Sequence, residues 1–254
     1  MEEKLLQMKS LVERLNQASD SYYNGKGELM TDYEWDALFD QLKRLEEETG
    51  EILPDSPTNR VSEDSIVGKK EEHEFAALSL AKTKQVSDLV KWAEDRPIWI
   101  SWKLDGLTLV VTYDGGKLTK IVTRGNGHIG TNITHLAPAI SGIPGTISEK
   151  GHLVVRGEAV ISYTDFEQFI IESEGDYANP RNLASGSLTL KDIEEVKQRH
   201  IQWIPFTLVY TERELTSWGE RMQMLKDLGM NPVERERIDH PTTENIQLEI
   251  DKFT

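Results

Sequence analysis

Cysteine is absent from all 254 residues, which removes disulfides, thiolate metal sites and cysteine nucleophiles together and leaves a reducing cytoplasm permitted. Long apolar runs are missing too. Nothing approaches the roughly 20 residues of a membrane span, and Met1-Glu2-Glu3-Lys4 leads into a charged amphipathic segment instead of an apolar signal core. The expectation is a cytoplasmic protein. Positive charge is also scarce: 29 Lys and Arg stand against 44 Asp and Glu, a formal net charge of -15. The chain as a whole therefore lacks the clustered cations that nonspecific binding to a phosphate backbone needs, and any nucleic-acid contact has to be local. The six histidines, His73, His128, His135, His152, His200 and His240, show no spacing suited to zinc and suggest no Ser-His-Asp arrangement. They are expected to be surface or structural residues. What is present, 37% hydrophobic and 29% charged residues with a mean hydropathy of -0.50, describes a chain that folds.

Two units are expected, a helical module over residues 1–62 and a larger domain over 63–254. Leu5, Leu6, Met8, Leu11, Val12 and Leu15 recur at helical spacing, as do Leu38, Phe39, Leu42 and Leu45. Tyr22-Tyr23-Asn24-Gly25-Lys26-Gly27 reads as the break between two helices, with Thr31 or Asp32 as cap of the second. Gly50 to Arg60, with Pro54 and Pro57, reads as an extended connector. From about Trp99 the pattern turns to strands: 98–102, 107–113 and 118–124, the last two joined by the hairpin turn Asp114-Gly115-Gly116, then 151–161 and 201–210. Helices are expected over 163–173 and 218–228. Strand groups interrupted by helices predict an α+β fold, with antiparallel sheets flanked by helices, over a doubly wound parallel sheet.

Lys103-Leu104-Asp105-Gly106 lies between two apolar strands, where a short turn can present a lysine from a rigid sheet. A Lys-x-Asp-Gly match alone is weak and reads equally as an exposed lysine beside a turn. Its context is ordered. Thr123-Arg124-Gly125-Asn126-Gly127, Val155-Arg156-Gly157-Glu158, Asn179-Pro180-Arg181-Asn182 and Ala184-Ser185-Gly186-Ser187-Leu188 follow it; Tyr22-Tyr23, Asp32-x-x-x-Asp36 and Asp55-Ser56-Pro57-Thr58-Asn59-Arg60-Val61 precede it. Gly125-Asn126-Gly127 with Gly130 mimics a phosphate loop but lacks its lysine and follows a hairpin strand, so that reading is rejected.

Taken together, the string closely resembles the N-terminal helical module and nucleotidyltransferase domain of bacterial-type NAD+-dependent DNA ligases, across nearly the whole chain. The resemblance implies that Lys103 attacks the α-phosphorus of NAD+, forms a phosphoramidate to AMP and expels nicotinamide mononucleotide, with magnesium neutralising phosphate charge. An ordinary lysine amine titrates at about 10.4, so such a nucleophile needs desolvation or nearby cations, which Arg124 and Arg181 can supply while pairing with phosphate oxygens. The resemblance further implies that Glu158 lies near the adenylate ribose and a metal-associated water. It implies that Asp105 supports the later reaction at a nick in duplex DNA, and that Ser79 and Leu80 line the nucleotide pocket. Tyr22, Tyr23, Asp32 and Asp36 match positions that grip the cationic nicotinamide mononucleotide, for which an aromatic face and carboxylates are a suitable receptor. Asp32 as a helix cap and Tyr22 as core packing would look the same in sequence.

Departures from the family pattern are specific. Ser101 stands where a glutamate usually contacts adenine, Asn126 replaces an aspartate, Thr131 a glutamate, and Leu136 with Pro138 an Asn-x-Arg pair. Thr189 falls at a common arginine, and Tyr23 and Trp35 are milder aromatic variants. Asp251-Lys252-Phe253-Thr254 resembles the helix before the next family motif, so the two later lysines that contact the α-phosphate are expected from a longer ligase or from a second polypeptide, and without them Lys103 is expected to take AMP poorly or not at all. A noncatalytic NAD+- or nicotinamide mononucleotide-binding subunit is the alternative. An ATP-using RNA ligase or capping enzyme is a third reading, against which the helical module speaks.

Overall fold

The computed structural model describes residues 2–23, 29–30, 32–53, 56–58, 68–78, 81, 83–173, 177, 179–190 and 192–253. Helices α1 (Glu2–Tyr23) and α2 (Asp32–Thr49) form an antiparallel pair. Met8, Leu11, Val12 and Leu15 fall on one stripe of α1 because they recur at three and four residues, and they bury against Leu42 and Leu45. Each side chain so removed from water contributes about 2 kcal/mol. The Trp35 indole N–H donates to the Leu15 carbonyl at 3.3 Å and its ring stacks on Phe39 at 4.8 Å, while Lys4 pairs with Glu48 at the other end. The helical break therefore begins after Tyr23, not at Tyr22, and Asp32 is the first residue inside α2. Glu46 closes the pair onto the connector: its buried carboxylate accepts the Ser56 hydroxyl at 2.6 Å and the Thr58 hydroxyl at 2.7 Å. The expected boundary at 62 and 63, like Thr31, falls outside the described residues.

The larger core is built on strands. In chain order come β1 (Lys70–Glu72), α3 (Val86–Ala93), β2 (Ile98–Ser101), β3 (Leu107–Asp114), β4 (Lys117–Thr123), β5 (Ile129–Thr131), a 3-10 helix (Thr134–Ala139) and β6 (Leu153–Val160). Then follow α4 (Tyr163–Ser173), α5 (Pro180–Ser187), α6 (Ile193–Lys197), β7 (Gln202–Thr211), α7 (Trp218–Asp227), β8 (Arg235–Ile238) and α8 (Thr243–Lys252). An antiparallel sheet runs β4-β3-β6-β7, and β1 pairs with β5 and β2 with β8 in two smaller antiparallel sheets. The fold is α+β. Among the described residues no helix is long and apolar enough to cross a membrane.

Alternation decides which face of the large sheet is core. Leu107, Leu109, Val111 and Tyr113 on β3 meet Leu153, Val155 and Ala159 on β6 and Trp203 on β7, and all are buried. The other face carries Thr108, Arg156 and Glu158. The β3–β4 hairpin turns on Gly115 and Gly116 with φ of 59° and 78°, the two left-handed residues a two-residue turn requires. The segment from 180, read in sequence only as a motif, is the helix α5: Asn179 caps it by accepting from the Asn182 N–H at 2.9 Å, and Pro180 opens it. Strands β1 and β5 and helices α3 and α6 were not anticipated, the strands because three residues hold too little alternation to read.

Candidate functional site

Lys103 is exposed in residues 102–105, the link between β2 of one sheet and β3 of another. The glycine that ends the motif has a steric reason. A Cβ at Gly106 would run into the Ala159 carbonyl of β6, so only glycine lets β3 approach there.

Cross-strand register then brings Glu158 to the same spot. Thr108 on β3 faces Glu158 on β6, and the Thr108 hydroxyl donates to Glu158 Oε2 at 2.9 Å while the Gly106 N–H donates to Oε1 at 3.1 Å. Burial pushes the Glu158 carboxyl above its ordinary range; those two hydrogen bonds and the positive charges of Arg181 and Lys103 pull the other way. The residue is not a solvated strand end. Gly157 next to it leaves room for the Trp203 indole, which a Cβ would strike.

From α5, 76 residues along the chain, Arg181 Nη1 donates to Asp105 Oδ1 at 2.8 Å. Lys103, Asp105, Arg181 and Glu158 thus come together from a loop, a helix and a strand. Arg124 reaches the same edge through its backbone, its N–H donating to the Thr108 carbonyl at 3.0 Å. Its own carbonyl meets His73 Nε2 at 3.0 Å, and the Ala77 N–H donates to the Gly127 carbonyl at 2.7 Å. Residues 73–78 are thereby laid along the 124–129 turn. Arg156 holds the same segment by donating to the Phe75 and Ala76 carbonyls at 3.1 and 2.8 Å. Ser79 and Leu80, the next two positions, lie outside the described residues, as do the side chains of Tyr22, Tyr23, Asp32 and Asp36. The backbones of these last four fall at the end of α1 and the start of α2, one end of the antiparallel pair.

Several departures have local explanations. Asn126 Oδ1 accepts from the His128 and Ile129 N–H groups at 2.9 and 2.8 Å, so it shapes its turn as an aspartate would. Leu136 is fully buried in the main core, whereas Pro138 is exposed in the 3-10 helix. Thr189 donates to the Gly186 carbonyl at 2.6 Å. Thr131 is buried and its hydroxyl has no hydrogen-bond partner. Ser101 faces Arg235 across the β2–β8 pair. Sequence reading missed Thr108, which only the β3–β6 register reveals, and Glu234, whose carboxylate receives the Trp102 indole N–H at 3.1 Å.

A family model described as the NAD-dependent DNA ligase adenylation domain matches residues 69–254. One described as a DNA ligase-like N-terminal NAD+-binding domain matches residues 1–62. Proteins named DNA ligase from Lachnoclostridium phytofermentans and Ruminiclostridium cellulolyticum are each 39% identical to the chain over 259 and 260 residues, taking in 100% of it and 39% of their own length. One from Leptospira biflexa is 39% identical over 199 residues, 76% of this chain and 30% of its own. The chain spans 39% of the length of the first two relatives.

Proposed function

Because the chain belongs to the NAD-dependent DNA ligase family, whose adenylation-domain model matches residues 69–254, we propose that it takes AMP from NAD+ onto Lys103 as the first step of sealing nicked duplex DNA. The observation that carries this reading is the convergence of Lys103, Asp105, Arg181 and Glu158 at one sheet junction. The neutral Lys103 amine, its proton given up to solvent, forms the N–P bond as the bond from the α-phosphorus to the departing phosphate oxygen breaks and nicotinamide mononucleotide leaves. Arg181 supplies a guanidinium for phosphate oxygens, with Arg124 as the second. Glu158, fixed by Thr108 and Gly106, offers a rigid acceptor for a ribose hydroxyl.

Tyr22, Tyr23, Asp32 and Asp36 grip the nicotinamide mononucleotide half, a role supported by their shared end of the α1–α2 pair. Ser79 and Leu80 line the nucleotide pocket, which is supported by the course of residues 73–78 along the Arg124 turn. Magnesium would ride on the substrate phosphates, since Asp105 is paired with Arg181 and both Glu158 oxygens accept hydrogen bonds. It supplies charge neutralisation when bound. Later steps, in DNA repair or replication in the cytoplasm, draw on further motifs from a longer ligase or a second polypeptide.

The test is donor choice. The chain is incubated with NAD+ or ATP and magnesium, with and without a fragment carrying the later family motifs, and released nicotinamide mononucleotide or pyrophosphate is quantified. With the fragment present, release from NAD+ and not from ATP, one equivalent per chain, is expected; without it, little or none. NAD+ binding without release, even with the fragment, assigns a noncatalytic binding subunit instead; turnover of ATP alone moves the chain to the RNA ligase and capping class.

A further inference from the structure

Lys103 stands on a short link between two sheets, so its position depends on what fastens the link at each end. At the far end the fastenings are the Gly106 N–H to Glu158 and Asp105 to Arg181. At the near end the fastening is a side chain. The β2–β8 register pairs Ile98 with Ile238 and Ser101 with Arg235; one step further it would pair Trp102 with Glu234, and there the Trp102 indole N–H donates to Glu234 Oε2 at 3.1 Å. The indole also meets Phe253, at the end of α8, edge-on with ring centroids 5.0 Å apart. Trp102 is still 40% exposed, so burial alone does not explain a large aromatic at this place.

We propose that Trp102 is a positioning residue for Lys103: its bond to Glu234 and edge contact with Phe253 fix the near end of the link and so hold the Lys103 amine in line for attack. Two neighbours sharpen the assignment. Trp99, three residues earlier, already packs the small sheet onto α7, with its ring 5.8 Å from that of Trp218. The Trp102 contacts are therefore not needed to dock the small sheet on α7, and they act on the residue that follows. A reacting atom displaced by about 1 Å loses on the order of a hundredfold in rate, which is why so modest a fastening matters for this lysine.

The inference rests on Lys103 being the AMP acceptor, and the experiment separates the two. Wild type, Trp102→Phe, Glu234→Ala and Glu234→Gln, each with the fragment carrying the later family motifs, are compared for the single-turnover rate of AMP transfer across a series of NAD+ concentrations, for melting temperature, and for hydrogen exchange of amides 102–106. Trp102→Phe keeps the ring edge and loses the donor; Glu234→Gln keeps an acceptor. With one hydrogen bond lost, Trp102→Phe and Glu234→Ala are expected to slow the maximal rate about fivefold at unchanged half-saturating NAD+, and Glu234→Gln to stay within about twofold of wild type. Exchange at 102–106 rises in the first two without loss of melting temperature. Wild-type maximal rates in both, a change confined to half-saturation, or unchanged exchange at 102–106 overturns the positioning role while leaving Lys103 as acceptor. No AMP on the wild-type chain overturns the reading of Lys103 and this one with it.

Discussion

The two ends of the β3–β6 strand pair carry charged clusters of similar size and opposite character. Where β3 ends and β6 begins, His152 bridges two carboxylates, Nδ1 to Asp114 at 2.6 Å and Nε2 to Glu74 at 2.8 Å. The Asp114 bond first, then Glu74, raises the His152 pKa, and the His152 bond lowers that of Asp114. Each partner favours the other's charge. Where β3 begins and β6 ends, burial raises the Glu158 carboxyl despite two hydrogen bonds and two nearby cations. Burial there works against the charged form. One end is matched for stability, and the other sets burial against a carboxylate's charge, the arrangement by which candidate sites are recognised.

The sharpest way to break that contrast is at the lysine itself. Lys103→Ala abolishes AMP transfer, yet because the side chain is exposed it leaves melting temperature and NAD+ binding near wild type, as measured by adduct mass, thermal denaturation and calorimetry. Glu158→Gln comes next, with an expected loss of about a hundredfold in transfer rate. Its stability effect has the opposite sign. A carboxyl raised on folding binds its proton more tightly in the folded chain, so its ionisation removes stability as pH rises from the ordinary glutamate range through the raised value. Glu158→Gln should therefore melt no lower than wild type at neutral pH, and a large drop in melting temperature would erase the contrast.

Arg181→Ala frees Asp105 and is expected to slow transfer about tenfold by removing a charge-assisted contact. The pair is well exposed, so stability should change by less than about 1 kcal/mol in denaturant titrations. The smallest effect belongs to the opposite end. The His152 contribution is fully present below the ordinary histidine range and is lost as pH rises through the raised folded value. That of Asp114 is present above the ordinary aspartate range and is lost as pH falls through the lowered one. His152→Gln should accordingly cost under about 1 kcal/mol near pH 5.5 and almost nothing near pH 9, with the AMP transfer rate unchanged at both. A change in transfer rate would mean that the two ends are coupled, through Glu74 and residues 73–78.

Sequence reading reached the parts of this picture that depend on local chemistry. Asp114-Gly115-Gly116 announced a two-residue hairpin because both glycines must be left-handed, and the stripes of α1 and α2 announced a helix pair. Lys103 and Asp105 were legible as a motif, but the Arg181–Asp105 contact joins residues 76 apart and is fixed by how α5 packs. Thr108 was invisible for a related reason: a threonine in an apolar strand becomes a partner for Glu158 only once the register is known. Leu136 looked like a lost polar residue, and its full burial explains it as a core position. The helix over 180–187 was missed although Asn179-Pro180, a cap followed by a favoured first residue, was there to be read.

Everything proposed for the site depends on Lys103 as the acceptor, and peptide mapping by mass spectrometry after incubation with NAD+, magnesium and a fragment carrying the later family motifs tests it most directly. An acid-labile AMP adduct on the peptide containing Lys103, absent from Lys103→Ala and not formed from ATP, is the predicted result. An adduct on a different lysine, or one formed from ATP and not from NAD+, would contradict it.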